Sequence, residues 1–312
     1  MDKDQLISFV MPAYNCEATI AEAVDSIFVN NFQAGDELII VNDCASDATD
    51  KVMAELMVKY PVIKYLKNDH NQGCPATRNI GIKAATNPLI FNLDADDVLA
   101  PGSVAKLKHC LLSNQADLVA FGESHYFSKS IKEVTHLRIY KYGLMSLADY
   151  LAGPVVPGGN YLYTKASWER LGGYWEFGAG LHEYWGFSLK QIASGSKFMV
   201  ATGTHYYHRY GGDSLYAREL HKEVNSLVAT KMIEPYLDLL CQADADYIRS
   251  ERGSREWFDL FSSKRPLHLK DGSLGHTGYQ VAFQSIIPTW KIIFKKYCPA
   301  PLYLWLKQLL AS

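Results

Sequence analysis

The chain has 312 residues, 48% apolar and 21% charged, so it has ample material for a packed core and suits one large domain or two ordinary ones. Its 31 basic and 33 acidic side chains leave a net charge of −2, which argues against a generally basic nucleic-acid binder. No run approaches a spanning length of uninterrupted apolar residues, and the start MDKDQLISFV lacks the basic pattern of a cleavable leader, so a cytoplasmic chain is expected.

Leu6–Met11 predicts a buried strand and Ala18–Val29 a helix, with Ile20, Ala23, Val24, Ile27 and Phe28 on one face. Glu37–Val41 predicts the next strand, followed by a helix from about Asp47 to Tyr60 that Pro61 stops. Ile63–Leu66 is a third strand, Cys74–Ala85 a helix, and Leu89–Leu93 a fourth strand that runs into Asp94-Ala95-Asp96-Asp97. A helix from about Pro101 to Asn114 leads to the strand Leu118–Gly122. This alternation predicts an α/β sheet with crossover helices. The middle, about 123–215, is rich in Gly and aromatics and less periodic, as expected of loops that build a substrate cleft. From about 216 the chain reads as amphipathic helix, with a polar break at Ser262–Gly278. The six cysteines, at 16, 44, 74, 110, 241 and 298, form no C-x-x-C pair and are expected to be reduced and packed as small hydrophobes.

Ligands of open α/β sheets sit at the carboxyl ends of strands. Tyr14-Asn15, Asn42-Asp43, Asn68–Asn71 and Asp94–Asp97 all fall there. The acidic group has no Cys or His beside it and offers hard oxygen donors suited to Mg2+ or Mn2+. Such an ion would bridge diphosphate oxygens. The alternative is a capping turn in which Asp97 or Ser103 satisfies the N–H groups of the next helix. Arg78 lies where a Gly-containing turn enters a helix, a place suited to phosphate, although an Arg on a helix is more often a surface residue. Asp43 and Asp47 also read as turn and N-cap residues.

The segments VMPAYN (10–15), IIVNDCASDAT (39–49), NQGCPATRNIG (71–81), FNLDADDVLAPG (91–102), GGNYLYTK (158–165), LGGYWEF (171–177) and YYHRYGGDSL (206–215) together resemble the family 2, GT-A-fold glycosyltransferases of the inverting type. The resemblance covers about residues 5–215. It implies a GT-A catalytic domain over 1–215, a Rossmann-like nucleotide-binding sheet with helices on both faces, and a helical C-terminal extension over 216–312. It implies a nucleobase pocket lined by Pro12, Ala13 and Tyr14, with Asp43 bonding the base beside Asn42 and Arg78 reaching the base or diphosphate. Asp94, next to Ala95, would contact the ribose or a metal-bound water. Asp96 would hold Mn2+ or Mg2+, and His208 and Arg209 would close over the diphosphate. His208 would be a second metal ligand or a structural histidine.

Two positions depart from the family pattern. Asn42-Asp43 stands where two acids are usual, and His182-Glu183-Tyr184 where a Glu-Asp pair opens the helix. In the family that Asp is the base; here Glu183 is the candidate, because no other carboxylate lies between Glu176 and Asp213. The alternative for Glu183 is a helix-start charge that complements the dipole. Trp175, Tyr184 and Trp185 are candidates for stacking on an acceptor sugar, although core packing is the commoner fate of such rings.

In the tail, Trp290, Ile293, Phe294 and Tyr297, then Leu302, Trp305, Leu306 and Leu309, repeat a helical spacing among Lys291, Lys295, Lys296 and Lys307. That pattern fits an interfacial helix on an anionic membrane, at the inner face of the cytoplasmic membrane. It equally fits a helical hairpin packed on the catalytic domain or on a second subunit of a homo-oligomer. The expected activity is metal-dependent transfer of a sugar, hexosyl or N-acetylhexosaminyl, from a UDP-linked nucleotide-sugar donor to a glycan or lipid-linked acceptor in capsule, O-antigen or lipopolysaccharide synthesis. A nucleotidyltransferase of related fold is the second reading, and a catalytically silent glycan-binding or assembly subunit the third.

Overall fold

The computed structural model describes residues 5–152, 157, 159–177, 180–211, 222–258, 265–275 and 284–285. The basic tail, and with it the expected interfacial helix, lies outside the described residues. Four strands come first: β1 (Ile7–Ala13), β2 (Glu37–Asn42), β3 (Ile63–Lys67) and β4 (Leu89–Asn92). They are joined by helices α1 (Ile20–Phe28), α2 (Thr49–Lys59) and α3 (Cys74–Ala84). β1 pairs in parallel with both β2 and β4, and β2 with β3. All seven residues of β1 are buried, as a central parallel strand covered on both faces requires. β3, at the sheet edge, carries Lys64 and Lys67 outward.

Side chains alternate between two cores. Phe9 and Met11 of β1, with Leu38 and Ile40 of β2, pack with α1 and α2; Val10, Ile39 and Val41 pack with α3 on the other face. On α1 the buried residues Ile20, Ala23, Val24 and Ile27 keep the predicted helical spacing. α3 lies hard against the sheet because residue 81 is glycine: a Cβ there would stand 2.5 Å from Val10 Cγ1 and 3.2 Å from Val41 Cγ2.

The second half adds β5 (Val98–Leu99), α4 (Ser103–Asn114), β6 (Leu118–Phe127), β7 (His136–Ile139), β8 (Gly143–Leu144), α5 (Leu147–Ala152), β9 (Tyr161–Thr164), α6 (Lys165–Arg170), α7 (Glu183–Ala193) and β10 (Phe198–Arg209). The sheet order is β11-β7-β6-β9-β4-β1-β2-β3, where β11 is Gln284–Ser285; β9 runs antiparallel to its neighbours β4 and β6. β10 pairs in parallel with β6 and antiparallel with β5 and β8. The sequence reading missed β10, whose period-2 pattern breaks where the register slips between Ala201 and His205. β6 also runs five residues beyond its expected end at Gly122.

Helices α8 (Lys222–Ile233), α9 (Gln242–Arg249) and α10 (Glu251–Glu256), with a 3-10 turn at Glu234–Leu239, follow as expected of the C-terminal segment. Met232, Leu237, Ile248, Trp257 and Leu267 join the α3 face of the core, so this described part shares that core with the first four strands. Among the described residues no helix is long and apolar enough to cross a membrane.

Candidate functional site

The carboxyl ends of β1, β2 and β4 converge with the start of α7 and the end of β10, and the polar residues there fall into three groups. At the end of β1, Pro12 and Ala13 are buried in register with Val41 and Asn42, while Tyr14 is 49% exposed. Asn42 and Asp43 serve the loops. Asn42 Nδ2 donates to Asp50 Oδ1 at 2.9 Å and Tyr65 Oη at 2.8 Å, and its Oδ1 accepts from Ala45 N–H at 2.7 Å. Asp43 accepts from Asn68 Nδ2 and Gln72 N–H at 2.8 Å and from Gly73 N–H at 2.9 Å, which fixes the approach to α3.

The second group is built on Arg78. Its side chain is fully buried, and its guanidinium pairs with Asp94 and with Glu183. It also meets the Tyr184 hydroxyl, lies 4.3 Å from the Tyr184 ring centroid and 5.9 Å from that of Tyr174. The Tyr184 hydroxyl in turn donates to Asp94 Oδ1 at 2.7 Å. A buried arginine is tolerable only when its charge is answered, and two carboxylates answer it. The expectation of a guanidinium open to phosphate is therefore corrected: Arg78 lies beneath the site and orients the two acids. Burial pushes the Glu183 carboxyl above the ordinary range, with Arg78 pulling the other way without cancelling it.

The third group is the acidic loop. Asp94 N–H donates to Asn160 Oδ1 at 3.0 Å, and Asn160 Nδ2 donates to Asp97 Oδ2 at 2.9 Å. Asp97 is fully buried; it also accepts from Arg209 N–H at 2.9 Å and faces His208 Nδ1 at 3.2 Å. Ala95 is buried, which turns Asp96 outward, and no other described residue donates to the Asp96 carboxylate. The protein crowded around that carboxylate, then the like charges of Asp97 and Asp94, push its pKa to about 7. Burial works against charging the His208 ring, but Asp97, with Asp96 and Asp94, outweighs it and holds the imidazole above its ordinary pKa.

A cation fits this chemistry. Asp96 offers an oxygen with no donor among the described residues, and His208, with Nδ1 turned to Asp97, has Nε2 to give. Arg209 does not reach into the site: it donates to Asp96 O at 2.9 Å, Ser128 O at 3.2 Å and Glu22 Oε2 at 2.5 Å, and it lies over the Phe127 ring. It latches the loop.

The aromatic candidates separate. Trp185 is 7% exposed, with its ring 4.9 Å from Phe258 and 6.0 Å from Trp257, so it is core and offers no face to a sugar. Tyr184 is spent on Arg78 and Asp94. Trp175 is half-buried, near Phe177 and Tyr236, with Lys190 Nζ 5.1 Å from its ring. Sequence reasoning missed Asn160 and the second role of Asp97; the adjoining GGN run was the only signal.

Residues 8–172, just over half of the chain, match the family described as Glycosyl transferase family 2; Glu183, His208 and Arg209 lie beyond the matched segment. The chain is 33% identical over 107 residues to the succinoglycan biosynthesis protein ExoO of Rhizobium meliloti, covering 34% of this chain and 30% of that protein. It is 35% identical over 95 residues to the UDP-Glc:alpha-D-GlcNAc-diphosphoundecaprenol beta-1,3-glucosyltransferase WfgD of Escherichia coli, covering 30% and 36%. The aligned part thus spans about a third of either relative's length. Among solved structures, S. aureus TarS 1–349 in complex with UDP-GlcNAc superposes with a TM-score of 0.63 at 18% identity, over 81% of this chain and 72% of that one, which shows the shared GT-A fold.

Proposed function

The chain belongs to glycosyl transferase family 2, and on that premise we propose that it transfers a sugar from a UDP-linked donor to a hydroxyl of a glycan acceptor, with inversion at the anomeric carbon. The setting is synthesis of a bacterial surface polysaccharide, a capsule, O-antigen or lipopolysaccharide chain, on a lipid-linked acceptor of the kind named for WfgD.

The observation that carries this reading is the outward Asp96 carboxylate, without a donor among the described residues, beside His208 at the carboxyl ends of the strands. Asp96 and His208 would hold Mn2+ or Mg2+, which when bound supplies neutralising charge for a diphosphate leaving group. Tyr14, 49% exposed beside the buried Pro12 and Ala13, would offer its ring face to the base. Asp94 keeps one oxygen clear of Arg78 and Tyr184, available to the ribose.

Glu183 takes the acceptor hydroxyl proton as that oxygen attacks. It is the carboxylate at the start of α7, held in place by Arg78, and its raised pKa strengthens it as a base. Trp175 remains the aromatic for the acceptor side. The basic aromatic tail rests on anionic lipid, which holds the protein peripherally at the inner face of the cytoplasmic membrane. One observation favours a silent glycan-binding subunit instead: the residue after Glu183 is Tyr184, a neutral phenol tied to Asp94, so the Glu-Asp pair usual in the family is not intact here.

A thermal-shift panel of UDP, GDP, CMP and dTDP sugars, with Mn2+ and with EDTA, tests the assignment. A UDP sugar at a hundred times its Kd should raise Tm by roughly 5 °C with Mn2+ and far less in EDTA. A shift with another nucleotide alone sinks the UDP assignment, and an equal shift in EDTA sinks the cation. Donor binding without turnover on any lipid-linked glycan would favour the silent subunit.

A further inference from the structure

We propose that Asn160 and Asp97 are positioning residues that preset the cation site, Asn160 by clasping both ends of the acidic loop and Asp97 by holding His208 as its Nδ1–H tautomer. The inference rests on the cation reading above.

Asn160 is 1% exposed and immediately precedes β9, far in sequence from the loop it serves. Its Oδ1 takes the N–H of Asp94 at 3.0 Å, and its Nδ2 gives a hydrogen to Asp97 Oδ2 at 2.9 Å. An amide does both from one planar group, with its acceptor and its donor on separate atoms. A carboxylate at 160 would face Asp97 as a like charge, and an apolar residue would leave a buried N–H and a buried carboxylate short of partners. The preceding glycine makes the approach possible: Gly159 has φ +103°, and a Cβ there would stand 2.5 Å from Tyr206 Oη.

Asp97 gathers the other side. Its fully buried carboxylate receives Arg209 N–H at 2.9 Å from β10, and β10 pairs with β5 through Tyr207 and Val98 directly after the loop. His208 Nδ1 stands 3.2 Å from the same carboxylate, and its ring is set edge-on to Tyr126 and Tyr206. A carboxylate that accepts at Nδ1 demands the proton there and leaves Nε2 as the lone-pair nitrogen, the arrangement a metal-binding imidazole needs. Buried carboxylates are costly, and an apolar residue would fill the same space; the charge earns retention by selecting one tautomer.

The test reads the tautomer and the cation separately. Two-bond 1H–15N spectra assign the His208 ring by its loss in H208Q, and isothermal titration with Mn2+ gives affinity. Wild-type His208 is expected as Nδ1–H. In D97N the Nε2–H form should become the major one, and Mn2+ affinity should fall about tenfold. In N160A, which keeps Asp97, the tautomer should stay Nδ1–H while Mn2+ affinity again drops about tenfold, so that the proposal stays testable if D97N does not fold. An Nε2–H form in the wild type, or the same tautomer in wild type and a folded D97N, overturns the role of Asp97. Unchanged Mn2+ affinity in a folded N160A overturns that of Asn160. Failure of the wild type to bind Mn2+ overturns the cation reading and the presetting of its site, whereas the tautomer from the same sample still decides what Asp97 does to His208.

Discussion

Glu183 and Arg78 show how a single pairing divides labour. Arg78 has given up all contact with water and is balanced by Asp94, Glu183 and the Tyr184 hydroxyl, so its charge is spent on aiming two acids. E183Q keeps the shape and the contact with Arg78 but loses the capacity to take a proton. Turnover should fall by about 10²–10⁴ with donor affinity little changed, measured as kcat beside a binding isotherm. The pH profile follows from the same group. A base must be ionised, and the folded pKa lies above the ordinary Glu value, so wild-type kcat/KM should climb with pH through a limb above that value, and the residual rate of E183Q should lack this limb. Strand-end placement made Asp94 and Asp96 visible in the sequence, and Glu183 was visible as the lone carboxylate between Glu176 and Asp213. Asn160 was not visible, because an amide in a run of Gly and Tyr has no chemical signature until the fold brings it to Asp97. Trp185 and Trp175 look alike as letters, and only packing against Trp257 and Phe258 separates the buried ring from the half-buried one.

The first four strands and three helices follow their hydrophobic periods closely, since β1, β2 and β4 are buried on both faces and α1 keeps its apolar residues on one. β10 escaped because its slip between Ala201 and His205 shifts the inward face, and period-2 reading assumes an unbroken register. The packing of α3 on β1 depends on the missing side chain at residue 81. G81A should destabilise the protein by about 1–3 kcal/mol, since Val10 and Val41 leave no room and both lie in central strands. Urea unfolding checks it: the midpoint should fall with the m-value unchanged. A midpoint equal to wild type would mean that α3 can slide outward without loss.

At the scale of the whole chain, the near-neutral total hides a division. Before and including Asp271 there are 27 basic and 33 acidic residues, and after it four lysines and no acid, so a −6 body carries a +4 tail. At about 1 kcal/mol per lysine near an anionic surface, the tail contributes roughly 4 kcal/mol of attraction. The full chain should therefore float with phosphatidylserine or cardiolipin liposomes at low salt and be released as salt rises; no flotation at low salt would remove the membrane from the proposal. The α/β class was legible from the alternation of strands and helices and the family from seven segments in order, whereas the sharing of one core by the first strands and the helices of 222–258 needed the packed molecule. Arg78 and Tyr184 are separated by 106 residues, so the floor of the site exists only once α7 has docked on α3. A nascent or refolding chain with its first four strands already paired is still inert, and recovery of turnover should mark its slowest long-range closure. Competence is gained as a late folding event.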